Sequence, residues 1–269
     1  MKFSIFGSEG FIGTNLINHL KNKELNYESI KISDEKVFKE NLGHVIYCIG
    51  ITSDFRERPF DTVESHVCLL HKILKKCKFD SFLYLSSTRV YLNSKTTNEK
   101  NNLQVNPNEF NNLYNISKLM GESLCLASNK PNIRIVRLSN VIGNNHDHKD
   151  FLPSIIHDAI NKKKILFHMK HSSQKDYVYI DDVIKILPEI SIHGKEKIYN
   201  VASGINLKIE EIAKILKEKT ECDINYADNS FEQSFSKIDI TKIKNEFDFN
   251  PVSILTKLDD MIIYQKNEL

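Results

Sequence analysis

Arginine is scarce in this chain: of 37 basic residues, 5 are arginine and 32 are lysine. Net charge of either sign is also lacking, at a formal +2. The one basic run, Lys162 to Lys164, reads as a solvated helix end, so the balance argues against a dedicated binder of nucleic acid. Cysteine is sparse and unpaired in pattern. Cys48, Cys68, Cys77, Cys125 and Cys222 are odd in number, and three lie in apolar runs where a reduced thiol packs as a small hydrophobe. That usage fits a reducing cytosol. Long apolar runs are missing as well, the longest lying near "VIYCIGI", about a third of a membrane span. The start "MKFSIFGSEGFIG" superficially resembles a signal peptide, but its apolar run is short and Glu9 falls where a hydrophobic segment would continue. The expectation is a soluble, cytoplasmic protein with no membrane insertion.

What the chain has is rhythm. "KFSIF" (2–6), "SIKIS" (29–33), "HVIYCIG" (44–50), "FLYLSS" (82–87) and "IRIVRLS" (133–139) read as strands, several of them apolar at nearly every position. Between them, 11–22, 61–77 and 112–129 carry helical periodicity. Strand–helix–strand alternation predicts an α/β, Rossmann-like, doubly wound parallel sheet. After residue 143 the rhythm becomes irregular: helices are expected at "FLPSIIHDAI", "YIDDVIKILPEI", "KIEEIAKILKEK" and the tail, with a strand at "KIYNVAS". The predicted organisation is a dinucleotide-binding core over 1–143 and a mainly substrate-binding lobe over 144–269, the two forming one unit with an interleaved boundary. The stretch "NNHDHKD", with His146 and His148, reads as an exposed polar loop, and no set of histidines suggests a metal site.

"GSEGFIG" puts Gly7, Gly10 and Gly13 between the first strand and the first helix. Such a turn lets backbone approach a pyrophosphate and aims helix N–H groups at it. Gly7, Gly10, Phe11, Ile12 and Gly13 are therefore candidate cofactor contacts, with Ile49 and Gly50 at the end of the third strand. An acid about 20 residues further on often holds the adenosine ribose. Asp34 is the candidate, although Ser33 competes for the position. The turn contains Glu9 and no arginine, which favours NAD over NADP without excluding the latter.

Tyrosine precedes lysine by four residues at three places: Tyr27/Lys31, Tyr91/Lys95 and Tyr114/Lys118. The first pair flanks a strand, where four residues span roughly 13 Å. The second lies in a loop. Only Tyr114 and Lys118 share a helix, where that spacing makes neighbours. Ser86, Ser87 and Thr88 reach the carboxyl end of the fourth strand, where open α/β sheets bind ligands. A phenol working near neutrality needs its pKa lowered by roughly 3 units, or about 4 kcal/mol. A cation about 4 Å away at an effective dielectric of 20 supplies about that much. Lys118 is expected to contribute that charge, together with an oxidised nicotinamide.

"GSEGFIG", the serine-rich end of strand four and "YNISK" together resemble the short-chain dehydrogenase/reductase superfamily, and specifically its extended, nucleotide-sugar branch, the NAD-dependent epimerase/dehydratase family. The resemblance covers nearly the whole chain. It implies Tyr114, Lys118 and Ser87 as catalytic, with Ser87 also a substrate contact that hydrogen-bonds the oxygen Tyr114 serves, and both Tyr114 and Lys118 as cofactor contacts. It places His66 where an asparagine near the cofactor is common. "VRLSNVIG" implies Asn140 as a substrate-diphosphate ligand, and "QKDYVYIDDV" places Lys175 where an arginine is usual, turning a bidentate grip into a point charge. Thr88 and Arg89 follow Ser87, whereas the 4,6-dehydratases of the family carry Asp-Glu there. That argues against elimination of water. The Cys and His used by epimerase–reductases are also not evident. The reading favoured is NAD(P)-dependent oxidoreduction at one carbon, C4, of a nucleotide sugar by an epimerase, with surface-polysaccharide synthesis as a setting. A 4-ketoreductase and a non-catalytic dinucleotide sensor remain alternatives.

Rare arginines merit attention for their placement. Arg56 and Arg58 follow strand three and Arg89 follows strand four, so at least one is expected to bind a substrate phosphate or carboxylate. Thr88 is grouped with Arg89 as a substrate contact. The helices at 61–77 and 112–129 are candidates for a homodimer through a four-helix bundle.

Overall fold

A computed structural model of the chain describes residues 1–130, 132–144 and 150–267. His146 and His148 lie outside the described residues. Strands β1 (Lys2–Phe6), β2 (Asn26–Ile30), β3 (His44–Tyr47), β4 (Ser81–Ser87) and β5 (Ile133–Leu138) come first, with helices α1 (Phe11–Asn22), α2 (Pro59–Val63), α3 (Leu69–Lys76) and α4 (Leu113–Ala127) between them. Then follow β6 (Asn140–Ile142), α5 (Phe151–Asn161), β7 (Lys164–Met169), β8 (Gln174–Tyr179), α6 (Ile180–His193), β9 (Ile198–Val201) and β10 (Asn206–Lys208). The chain closes with α7 (Ile209–Thr220), β11 (Asp223–Phe231), α8 (Thr241–Phe247) and α9 (Ile254–Asn267).

The main sheet has the order β2-β1-β3-β4-β5-β9 and all its pairings are parallel. Its strands alternate between two cores. Phe3, Ile5, Ile46, Leu83, Leu85, Val136 and Leu138 face α1 and α6. Phe6, Val45, Tyr47, Phe82, Tyr84, Ile133 and Ile135 face α3 and α4. Two buried faces are why these strands are apolar at consecutive positions.

Three expectations shift. The second strand lies at 26–30 rather than 29–33, because it pairs only with β1 and its register ends where β1 runs into the glycine turn, Phe6 opposite Ile30. The helix expected at 61–77 is α2 and α3 joined by a π-helical turn, Glu64–Cys68. That wider turn carries His66 inward, fully buried. Most consequentially, the chain returns to the core after residue 143: β9 adds the sixth strand beside β5, and α6 packs on α1.

The remaining elements form smaller sheets, β10-β8-β6 and β11-β7, with α5, α7 and α9 packed together. No helix among the described residues is long and apolar enough to cross a membrane.

Candidate active site

Gly7 closes β1 with φ +77°, and a Cβ there would lie 2.8 Å from the Ile49 nitrogen. At Gly13 a Cβ would collide with the Gly7 carbonyl, so α1 begins tight against the turn. Phe11 and Ile12 open α1, and its first turn holds no acidic side chain. The backbone N–H groups there face no competing carboxylate. This is the shape and polarity a pyrophosphate requires. Asp34 stands in the exposed loop after β2, its carboxylate accepting the Lys36 N–H at 2.9 Å and capping a short 3₁₀ turn. Glu9 pairs with Lys31 at 3.7 Å, both exposed.

The end of β3 links this turn to the tyrosine. Cys48 and Ile49 abut Gly7, and the next residue, Gly50, has room for a Cβ only 3.2 Å from both His66 Nε2 and Lys118 Nζ. His66 is engaged through both ring nitrogens. Nε2 accepts the Ile51 N–H at 3.2 Å, so Nδ1 carries the proton and donates to Ser117 Oγ at 2.9 Å. Ser117 in turn donates to the Tyr114 carbonyl at 2.9 Å. Burial, then the Lys118 charge, holds His66 neutral, its pKa drawn down to about 2. The ring meets Tyr114 edge-on at 5.4 Å.

Tyr114 and Lys118 lie one turn apart on α4, both buried. Lys118 Nζ donates to the Leu85 carbonyl at 2.9 Å and sits 5.9 Å from the Tyr114 ring centre. Ser87 ends β4. Its Oγ accepts the Arg89 N–H at 3.2 Å, and Ser87 lies near enough to the Tyr114 phenol to favour its ionised form. A substrate oxygen would enter between these two hydroxyls. The structure thus gathers Ser87, Tyr114, Lys118, His66 and Gly50 around one spot. Gly143 continues the wall from β6, its hydrogen side facing Ile180 and the Phe11 ring.

One electrostatic expectation fails in the protein alone. Burial raises the Tyr114 pKa above the ordinary phenol value, and the groups that oppose this are Ser87 and Arg89, not Lys118. The same burial draws Lys118 down to about 7, with Glu122 and Cys48 acting the other way. Burial disfavours the charged form of each group, which moves the two pKa values in opposite directions.

Asn140 and Lys175 stand on adjacent strands, Asn140 donating to the Asp176 carbonyl at 2.7 Å. Lys175 Nζ lies over the Phe151 ring at 5.6 Å, and burial, then Arg89, draws its pKa down to about 8. Thr88 is buried at the start of the 3₁₀ turn after β4. The other two Tyr–Lys pairs are accounted for structurally. Lys31 is occupied by Glu9, and Tyr91 Oη donates to Asn200 Oδ1 at 2.9 Å while accepting from Arg137. Arg58 pairs with Asp61 at 2.9 Å and is spent.

Sequence reading missed Phe55, whose ring packs 5.4 Å from Tyr114, and the ion pair of Glu122 on α4 with Arg137 on β5. The signal for the latter was present: an arginine inside "IRIVRLS", a strand covered on both faces, must find a buried acid.

Residues 4–202 match the family described as "NAD dependent epimerase/dehydratase family". A dTDP-D-glucose 4,6-dehydratase of Dictyostelium discoideum is 26% identical over a 264-residue alignment that takes in 79% of this chain and 61% of that protein. The chain therefore spans under two thirds of that relative's length. Among solved structures, one described as the NAD dependent NDP-hexosamine 5,6-dehydratase TunA superposes with a TM-score of 0.85 at 16% identity, covering 99% of this chain and 98% of the other. A UDP-glucuronic acid 4-epimerase of Bacillus cereus, solved with UDP-glucuronic acid and NAD, gives a TM-score of 0.80 at 20% identity with both chains fully covered. These two likenesses speak to fold. By the match over residues 4–202, which is most of its length, the chain belongs to the NAD dependent epimerase/dehydratase family.

Proposed function

We propose that this protein is an NAD-dependent epimerase acting at C4 of a nucleotide-activated sugar. The observation that carries the reading is the junction of Ser87, Tyr114 and Lys118 beside the glycine turn, with Thr88 and Arg89 where a dehydratase of the family needs an acid–base pair. The dehydratase and epimerase relatives share the fold, so the choice between them rests on these two side chains. Neither Thr88 nor Arg89 can take a proton from a carbon at neutral pH.

The glycine turn with Phe11 and Ile12 would hold the pyrophosphate, Asp34 the ribose, and Ile49, Gly50 and His66 the nicotinamide end. Glu9 at the turn disfavours a 2′-phosphate, hence NAD rather than NADP. When bound, NAD would supply reversible hydride transfer at the sugar carbon, and inversion would follow if the ketone turns between removal and return of the hydride. Tyr114 takes the C4 hydroxyl proton and later gives it back. Ser87 hydrogen-bonds the same oxygen and fixes its position. Lys118, anchored on the Leu85 carbonyl, would add to Ser87 and Arg89 in stabilising the phenolate once a bound substrate and cofactor bring its charge into play. Asn140 and Lys175 grip the diphosphate, and the part of 144–269 outside α6 and β9 serves as the substrate lobe.

Incubation of the NAD-loaded protein with a panel of nucleotide sugars tests the reading. Formation of the C4 epimer at constant NADH absorbance is expected. Stoichiometric consumption of NADH on a 4-keto sugar would instead make it a reductase, and cofactor binding without turnover a sensor.

A further inference from the structure

Arg89 stands beside Tyr114 with Arg56 and Lys175 near it, and none of the three has a carboxylate within 4.0 Å among the described residues. Arg89 holds its guanidinium 5.7 Å from the Tyr114 ring centre and 5.3 Å from that of Phe55. Arg56 covers Phe55 at 4.4 Å. Both arginines touch Asn111: Arg56 Nε donates to its side-chain oxygen at 2.6 Å, and Arg89 Nη2 reaches its carbonyl at 3.4 Å. Arg89 Nε is buried and donates to nothing. Lys175 is close enough to Arg89 for its charge to be disfavoured by it.

Such an arrangement is unfavourable in isolation. Burial and the charge of Arg56 both work against Arg89, and an unpartnered buried N–H is rare in native proteins. Elsewhere this chain neutralises a buried arginine: Arg137 is met by both oxygens of Glu122 at 2.6 and 3.0 Å. The contrast says that the anion for Arg89 comes from outside the chain.

We infer that Arg89, supported by Arg56, binds a carboxylate on the sugar itself, so that the substrate is a nucleotide-linked uronic acid. The inference rests on the epimerase reading above. Position decides between the two anions such a substrate carries. In a pyranose C1, which bears the diphosphate, lies across the ring from C4, the carbon Tyr114 serves. The C6 group stands on C5, next to C4. Arg89 follows Ser87 by two residues and flanks the Tyr114 ring, so its reach is to C6. Its planar fork matches a carboxylate in two parallel hydrogen bonds. Lys175 and Asn140, on the β10-β8-β6 sheet, remain for the diphosphate.

The test compares UDP-glucuronic acid with UDP-glucose on NAD-loaded protein, by kcat/KM and, in parallel, by calorimetric affinity. Wild type is expected to favour the uronate at least about 100-fold. Arg89→Gln should collapse that preference to a few-fold, chiefly through KM, and Arg89→Lys should restore part of it. Lys175→Met should weaken both sugars alike. Equal treatment of the two sugars by wild type overturns the inference, as does an Arg89→Gln variant that weakens both equally, which would assign Arg89 to the diphosphate. If neither sugar turns over, the epimerase reading fails while the calorimetric preference still decides the carboxylate. Should Arg89→Gln not fold, the wild-type comparison and Arg89→Lys carry the decision.

Discussion

Lys118 and Arg137 are both buried cations packed against α4, and the chain treats them in opposite ways. Arg137 and Glu122 have side chains 4% exposed and form a bidentate pair, with Arg137 also donating to Tyr91 Oη at 2.7 Å. That pairing outweighs burial and raises the arginine's pKa further above its ordinary value. Lys118 receives one carbonyl and no carboxylate at bonding distance, so burial draws its pKa to about 7. The structural charge is neutralised where it stands. The charge beside Tyr114 is left short of a partner, and in the proposed reaction that is where negative charge would develop.

Removing the phenol should show the largest effect. Tyr114→Phe is expected to cut kcat about 10³-fold, with the melting temperature little changed because the ring's packing on Phe55 and His66 is kept. Loss of fold in this variant would mean that the hydroxyl is structural. Next comes the paired side of the helix. Glu122→Gln leaves Arg137 buried without its acid and should cost about 3–5 kcal/mol in urea unfolding. Adding Arg137→Met should recover much of that loss. An additive double variant would contradict the pairing.

Lys118→Met sharpens the contrast through pH. Folding lowers this lysine's pKa, so between about 7 and its unfolded value the unfolded chain binds more protons. The penalty for burying the ammonium is complete below about pH 7 and fades as pH rises above it. The variant should therefore be inactive yet more stable than wild type at pH 6.5, and the gap should narrow by pH 9.5. A gap that does not move with pH would show that Lys118 is not the group titrating. The smallest effect is assigned to His66. With its pKa near 2, it should contribute no limb to the pH–rate profile between pH 5 and 9. His66→Ala should cost about 1–3 kcal/mol of stability by stranding the Ile51 and Ser117 partners.

The parallel sheet and the glycine turn were legible because a strand buried on both faces and a helix opening on Gly7, Gly10 and Gly13 impose their pattern locally. Tyr114 could be set apart from Tyr27 and Tyr91 because, at equal spacing, only its lysine shares a helix with it. The rest depends on contacts far apart in sequence. Nothing local tells that Ile198–Val201 returns to pair with β5, or that Phe55, Asn111 and Arg89 meet beside Tyr114. The rise of the tyrosine's pKa in the protein without cofactor was hidden for the same reason. Sequence spacing reports the neighbouring ammonium but not the burial that outweighs it.

The account stands on the Tyr114 phenol meeting the sugar oxygen that Ser87 also holds. A crystal structure of the Tyr114→Phe protein with NAD and a bound nucleotide sugar tests this most directly. The C4 oxygen is expected within about 3.2 Å of Ser87 Oγ and at hydrogen-bond distance from where the missing hydroxyl would stand. A sugar ring bound with C4 turned away from both positions would contradict it.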